Sequence, residues 1–246
     1  MSRYKVLLSY DGHNYHGWQS QQRDITIQDT IQEALSIIHK RPIKIVGSGR
    51  TDAGVHALNQ VFHFDSELNI SEDKWPLAIN TLLPKDIYIK KVEQVNSDFH
   101  ARFDAIGKKY RYYLNMGEYD PFMKDLVYQL GYQLNLKLMR EAANIFIGKH
   151  DFSSFCQNSY DEIADQTREI YGLSITNDND IVCFEFVGDG FMRYMVRMLV
   201  QTLIEVGKER LPLAEVKKML DACDKKACPY NAKPEGLYLV DVYYPE

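Results

Sequence analysis

A short apolar run, Ile43, Ile45 and Val46, stops at Gly47 and Gly49, and a second strand-like run extends from Leu58 to Phe64. The stretch between them reads Gly47-Ser48-Gly49-Arg50-Thr51-Asp52-Ala53-Gly54-Val55-His56-Ala57. This punctuation restricts the segment to two strands joined by a small-residue loop, because glycines let the backbone turn sharply and let a bulky group approach closely. Arg50, Asp52 and His56 are the only groups in it with strong chemistry. A carboxylate on a tight loop at a strand end, with an Arg two residues away, suits a nucleophile kept ionised by a neighbouring cation. The same letters describe an ordinary turn, with Asp52 bonding its own backbone and Gly54 at positive φ. Spacing alone leaves both readings open.

The pattern on either side predicts a mixed chain. Residues 3–10 read as a strand, and Thr26 with Asp29 resembles a capping box for a helix carrying Ile27, Ile31, Ala34, Leu35 and Ile38 at helical spacing. Strands are expected near 43–47, 58–65 and 86–95, a helix near 72–82 ended before Pro84, and a long strand from about 100 to 115. Further on, a helix is expected over 135–147, with strands near 168–176 and 181–187. A strongly apolar helix from Phe191 to about Val206, a shorter one over 212–222 and a last strand at 237–243 complete the chain. Strands and helices without strict βα alternation predict an α+β fold with a mainly antiparallel sheet. The subdomain boundary is placed at 104/105, giving 1–104 and 105–246.

At 246 residues, 45% hydrophobic and 26% charged, the composition is that of a globular protein with a sizeable core. No apolar run is long enough to span a bilayer and no signal-peptide layout is present, so a cytoplasmic protein is expected. Cys156, Cys183, Cys223 and Cys228 lack metal-knuckle spacing and are expected as free thiols. His56 and His63 with Asp52 and Asp65 fit no common ligand pattern, so no metal is expected. A net charge of −5 argues against a generic nucleic-acid coat, but not against positive charge gathered in one groove. From His100 to Tyr113 the cations Arg102, Lys108, Lys109 and Arg111 stand against Asp104 alone, among Phe103, Tyr110, Tyr112 and Tyr113. Such interleaving on an extended segment can neutralise phosphates and stack bases. It also describes an edge strand of a half-buried sheet.

The string GRTDAGVHA, residues 49–57, resembles the signature loop of the tRNA pseudouridine synthase A family. Tyr10-Asp11-Gly12 with Tyr15, Gly17-Trp18-Gln19 and Gln21 is similar to that family's first strand and turn. Phe99 to Phe103 leading to Lys109-Tyr110-Arg111-Tyr112 resembles its central motif. His150 to Phe155, Phe191-Met192 with Met195-Val196-Arg197, and Gly236 to Leu239 resemble later ones. The matches run in the family's order over nearly the whole chain. The resemblance implies two related α/β subdomains sharing a mainly antiparallel sheet with a central RNA-binding cleft. It also implies a homodimer in which one tRNA contacts both subunits.

The reaction so implied breaks the N1–C1′ bond of uridine, turns the base over and rejoins it through C5, with no cofactor. It implies Asp52 as the catalytic nucleophile, Tyr110 as the ring stacked on the target uracil, and Arg197 as the cation beside the carboxylate. Arg50 would fill the space left by the extruded nucleotide or bind its phosphate, and Lys109 and Arg111 are expected to bind substrate. The uridines implied are positions 38, 39 and 40 of the tRNA anticodon stem-loop. Gly107-Lys108-Lys109 and Arg193-Tyr194 depart from the family's usual wording and bear on RNA grip rather than on the nucleophile. The competing readings are a paralogue modifying a different RNA site, a non-catalytic RNA-binding module, and a glycoside hydrolase. The last usually needs two opposed carboxylates, where this loop supplies one.

Overall fold

Residues 1–245 are described here by a computed structural model. The chain packs as two compact units, one of Met1–Ile106 with Tyr238 to the end of the described chain, the other of Gly107–Leu237.

In the first unit, β1 (Ser2–Tyr10) alternates cleanly, burying Tyr4, Val6, Leu8 and Tyr10 on one face. Helix α1 (Ile27–His39) starts where the sequence places it. Thr26 accepts from Asp29 N at 3.2 Å, an N-cap worth about 1 kcal/mol. The Asp29 carboxylate accepts from the Thr26 hydroxyl at 2.7 Å instead of closing a reciprocal box. The expected strand at 43–47 shortens to β2 (Val46–Gly47), which pairs antiparallel with Phe62 and His63 in the second half of a longer neighbour, β3 (His56–Ser66). Helix α2 (Lys74–Asn80) and β4 (Ile87–Val95) follow. β1 lies antiparallel between β3 and β4. Trp75 of α2 meets Tyr4 and Phe64 at ring distances of 5.4 and 5.3 Å, closing the apolar layer under α1 and α2.

The second unit opens with β5 (Gly107–Asn115), shorter than the predicted strand from 100. Residues 100–104 turn instead, because Asp104 N donates to His100 O at 3.0 Å while the Asp104 carboxylate accepts from His100 N at 2.8 Å. β6 (Tyr128–Gln129) runs parallel to the end of β5. Helix α3 (Leu136–Ala143) then continues as a 3-10 turn to Phe146. β7 (Gly148–Asp151), β8 (Thr167–Asp178) and β9 (Ile181–Gly188) form antiparallel pairs, with β9 also against β5. β6 and β7 are too short to leave a sequence pattern. Helix α4 (Met195–Gly207) is apolar nearly all round and buried accordingly, and α5 (Leu213–Asp221) packs against α3 and β7. β10 (Leu237–Tyr243) returns to the first unit, where Tyr238 and Leu239 pair in parallel with His56 and Ala57 of β3.

Mixed helices and mainly antiparallel strands make this an α+β protein, as predicted. No helix among the described residues is long and apolar enough to cross a membrane. The four cysteines are unpaired, Cys156 and Cys228 among them buried.

α4 starts at Met195 rather than Phe191 for a local reason. Tyr194 takes a left-handed backbone at φ 63°, and the main chain of Arg193 bonds instead to Gln157 N at 3.1 Å and Asn158 Oδ1 at 2.8 Å. A left-handed non-Gly residue costs about 1 kcal/mol, here accompanied by Arg193 and Arg197 guanidiniums 5.0 and 4.9 Å from the Tyr194 ring.

His63 of β3 is buried, and its Nδ1 accepts from Ala101 N at 3.1 Å. Burial, with Arg3 and His100 nearby, lowers its pKa from 6.5 to about 4. The unfolded chain therefore binds the extra proton first. The contribution is complete above pH 6.5 and is lost as pH falls toward 4. The urea midpoint is expected to drop over that window, and His63→Gln should flatten the drop. An unchanged slope in the variant would assign the loss to other groups.

Candidate functional site

The loop between β2 and β3 is held from beneath by one buried amide. Gln60 has no exposed surface, and its Oε1 accepts from Ser48 Oγ at 2.6 Å and from Val61 N at 3.1 Å. Its Nε2 donates to Gly49 O at 3.2 Å and to Tyr10 Oη at 3.4 Å. A flipped amide would set a donor against the Val61 N–H, so the orientation follows from the network. Tyr10 Oη in turn lies 2.8 Å from Thr51 Oγ1, and burial pushes its pKa up to about 12, so it stays a neutral donor.

From the other side, residues 15–18 clamp the same loop. The orphan N–H groups of Ile27 and Gln28 at the start of α1 donate to Gly17 O and Trp18 O at 3.1 and 3.0 Å. Trp18 N donates to Thr51 O at 3.1 Å, and Gly54 N to Tyr15 O at 3.2 Å. Gly17 has φ +87°, and a Cβ there would stand 2.5 Å from Thr51 O, so only glycine fits. Tyr15 is anchored by its hydroxyl to Asp86 at 2.6 Å.

Within the loop, Val55 N donates to Asp52 O at 3.1 Å and Gly54 takes φ +75°. Of the ordinary turn in the sequence reading the positive φ at Gly54 is present, and this turn is compatible with a reactive Asp52. The turn uses the Asp52 main-chain carbonyl, while Asp52 itself remains half-buried. Arg50 is exposed, with Nε 3.1 Å from Gln19 Oε1. His56, the third reactive group of the loop, is 1% exposed and stacks on Tyr238 at 4.6 Å. Its Nδ1 lies 3.0 Å from Asp11 Oδ1 and 3.1 Å from Gly12 N. The Gly12 N–H donates to this nitrogen. That ring is occupied in joining the first turn to β3.

In the second unit, strand alternation separates residues that the sequence reading placed on one binding segment. Tyr110 faces inward at 8% exposure, its ring edge-on to Phe191 at 5.2 Å. Lys109 and Arg111 lie on the opposite face, where Arg111 Nε bonds Glu185 Oε2 at 2.7 Å and Lys109 Nζ lies 3.9 Å from Glu185 Oε1. Glu185 raises the Arg111 pKa and holds it charged. Arg102 and Phe103 sit on the preceding turn rather than on a strand.

Arg197, in the first turn of α4, is 9% exposed, and its Nε donates to Ala232 O at 2.7 Å. It therefore does not lie on a solvent face shared with Arg193, which precedes the helix. Among the described residues no group of three His, Cys, Asp or Glu side chains is arranged to hold a metal ion. Gln60 escaped the sequence reading, which quoted Tyr10, Thr51 and Gly17 within its motifs but gave them no role.

Comparisons with known proteins point one way. A family model described as tRNA pseudouridine synthase matches residues 7–104 and 142–245. The tRNA pseudouridine synthase A of Bacillus subtilis is 44% identical over 245 residues, covering 98% of this chain and 99% of its own length. That of Staphylococcus carnosus is 44% identical over 242 residues, covering 98% of this chain and 90% of its own. A solved chain of a Cbf5-Nop10-Gar1 complex aligns with 96% of this chain and 57% of its own at TM-score 0.37 and 10% identity, a likeness too remote to bear on fold or function.

Gln60→Leu would leave Val61 N–H and Gly49 C=O without their partner, at about 1–3 kcal/mol for each buried group. A loss of about 2–4 kcal/mol in urea unfolding is expected. A loss below about 1 kcal/mol would show that the amide is not the foot of the loop.

Proposed function

This chain belongs to the tRNA pseudouridine synthase family, whose members are isomerases, and we propose that it converts uridines 38, 39 and 40 of the tRNA anticodon stem-loop to pseudouridine. The observation that carries the reading is the loop of Asp52. Its backbone is bonded on one side to the Gln60 and Tyr10 network and on the other to residues 15–18, while Asp52 keeps partial access to solvent. A reaction that breaks and remakes one glycosidic bond without a cofactor needs a carboxylate at a fixed place beneath the ribose. A loop braced from two sides meets that need.

In this proposal Asp52 acts as the nucleophile and Arg197 is its counter-ion. An opposite charge within about 4–6 Å favours the ionised form of a carboxylate. Tyr110 supplies the ring on which the target uracil stacks and a hydroxyl for the closing proton transfer. Arg50, exposed on the loop beside Asp52, fills the space left by the extruded nucleotide or holds its phosphate. Extrusion costs a few kcal/mol, which such contacts offset. Lys109 and Arg111 bind RNA in this reading, but on the face of β5 opposite Tyr110 and in competition with Glu185. Their contacts are thus with backbone away from the target base. The protein works in the cytoplasm as a homodimer, and needs neither metal nor cofactor.

The test uses unmodified tRNA transcripts tritiated at uridine C5, since bonding C1′ to C5 releases that tritium to water. Release by the wild type without added metal, mapped to positions 38–40, and none by Asp52→Asn, are expected. Tight tRNA binding without release from any tRNA would overturn the reading in favour of a binding module, and release at other positions would indicate a paralogue.

Arg197→Lys is expected to slow release nearly as much as Arg197→Met, because an ammonium lacks the planar fork of a guanidinium. Near wild-type turnover in the Lys variant would reduce the role of Arg197 to simple charge.

A further inference from the structure

The turn at residues 100–104 presents an aromatic ring that the fold does not use. Phe103 is 76% exposed and Ile106, three residues on, is 56% exposed, so neither contributes much apolar burial. The turn beneath them is nonetheless fixed. His100 Nδ1 accepts from both Arg102 N and Phe103 N at 3.2 Å, and Ala101 N donates to His63. The Phe103 ring stacks on His100 at 4.1 Å and 21°, and the Arg102 guanidinium lies 5.9 Å from its centroid.

The turn is also held by the residue that follows β10. Tyr244 Oη donates to Ala101 O at 2.6 Å, and its ring lies 5.3 Å from that of Phe99.

We infer that Phe103 is a stacking platform for an unpaired base of the RNA substrate, with Arg102 beside it for the adjoining phosphate. The inference rests on the tRNA reading above and adds a second contact to it. An unpaired nucleotide asks for a π-face and a nearby cation on a surface already ordered before binding. Phe103 and Arg102 offer both, and the ordering has been met by His100, His63 and Tyr244. Charge favours RNA as the occupant. On the turn itself the cation Arg102 stands beside the ring, while the carboxylate of Asp104 is engaged by His100 N.

Binding is measured in the Asp52→Asn protein, which holds unmodified tRNA transcript without turnover. Phe103→Ala in that background is expected to raise Kd about tenfold, and Phe103→Trp to stay within about twofold of the parent, since any aromatic face stacks a base. In the active enzyme Phe103→Ala should raise KM tenfold with kcat within about twofold. Sedimentation of the same proteins reports their assembly. An unchanged Kd in Phe103→Ala overturns the inference. So does a weaker Kd accompanied by loss of dimer mass, which would assign the ring to contact with a second copy of the chain. Absence of tritium release by the wild type from any tRNA is a separate failure, of the functional reading itself.

Discussion

Everything around the Asp52 loop depends on the side chain of Gln60. A primary amide offers two donors and two acceptor lone pairs, and in this strand all four roles are taken. The interior of a sheet is an expensive place for such a group unless it is satisfied, because each orphaned polar atom costs its desolvation. Satisfied, it converts that cost into position. Ser48, Gly49 and, through Tyr10, Thr51 are bonded to one rigid point on β3, and Asp52 is the next residue. A loop of small residues would otherwise be soft. Its stiffness comes from what lies beneath it rather than from its own sequence.

The opposite clamp draws on the start of α1. Helix N-termini carry N–H groups with no helical partner, and here two of them hold the carbonyls of Gly17 and Trp18. The next bond in the chain, Trp18 N to Thr51 O, passes that constraint to the loop. Gly17 makes the approach possible, since any side chain there would meet the Thr51 carbonyl. Two independent supports leave Asp52 little freedom of placement while its half-buried position keeps it reachable. That combination suits a group whose proposed task is repeated contact with one carbon of a ribose.

The loop of Asp52 was legible in the sequence because glycines flank it at fixed offsets between two strand-like runs. β10 was legible to the residue, since Leu237, Leu239 and their neighbours alternate between turn residues. Gln60 was not. In the run Leu58 to Phe64 a glutamine reads as a solvent-facing position, and only the strands on either side bury it. Phe103 and Arg102 were assigned to a strand by their aromatic and basic character, whereas the Asp104 carboxylate bonding back to His100 closes a turn. Such a local side-chain bond competes with strand formation and carries no periodic signal. Lys109 and Arg111 were grouped with Tyr110 by proximity in sequence, although the period of two sends alternate residues to opposite faces.

Arg197 makes the opposing demands of stability and function concrete. It occupies the first turn of α4, where the helix field already favours anions, and it is almost wholly buried. The Ala232 carbonyl at 2.7 Å and the Tyr194 ring orient its guanidinium. A Met or Leu would suit the apolar surroundings supplied by Met195, Val196, Met198 and Leu199. Stability alone therefore argues against an arginine here, since replacing a buried charge with a packed apolar side chain is often neutral or favourable. A reaction that requires a carboxylate to stay ionised in a water-poor setting argues for it. A buried guanidinium is thus a costly choice for the fold, and the proposed chemistry is what gives it a use.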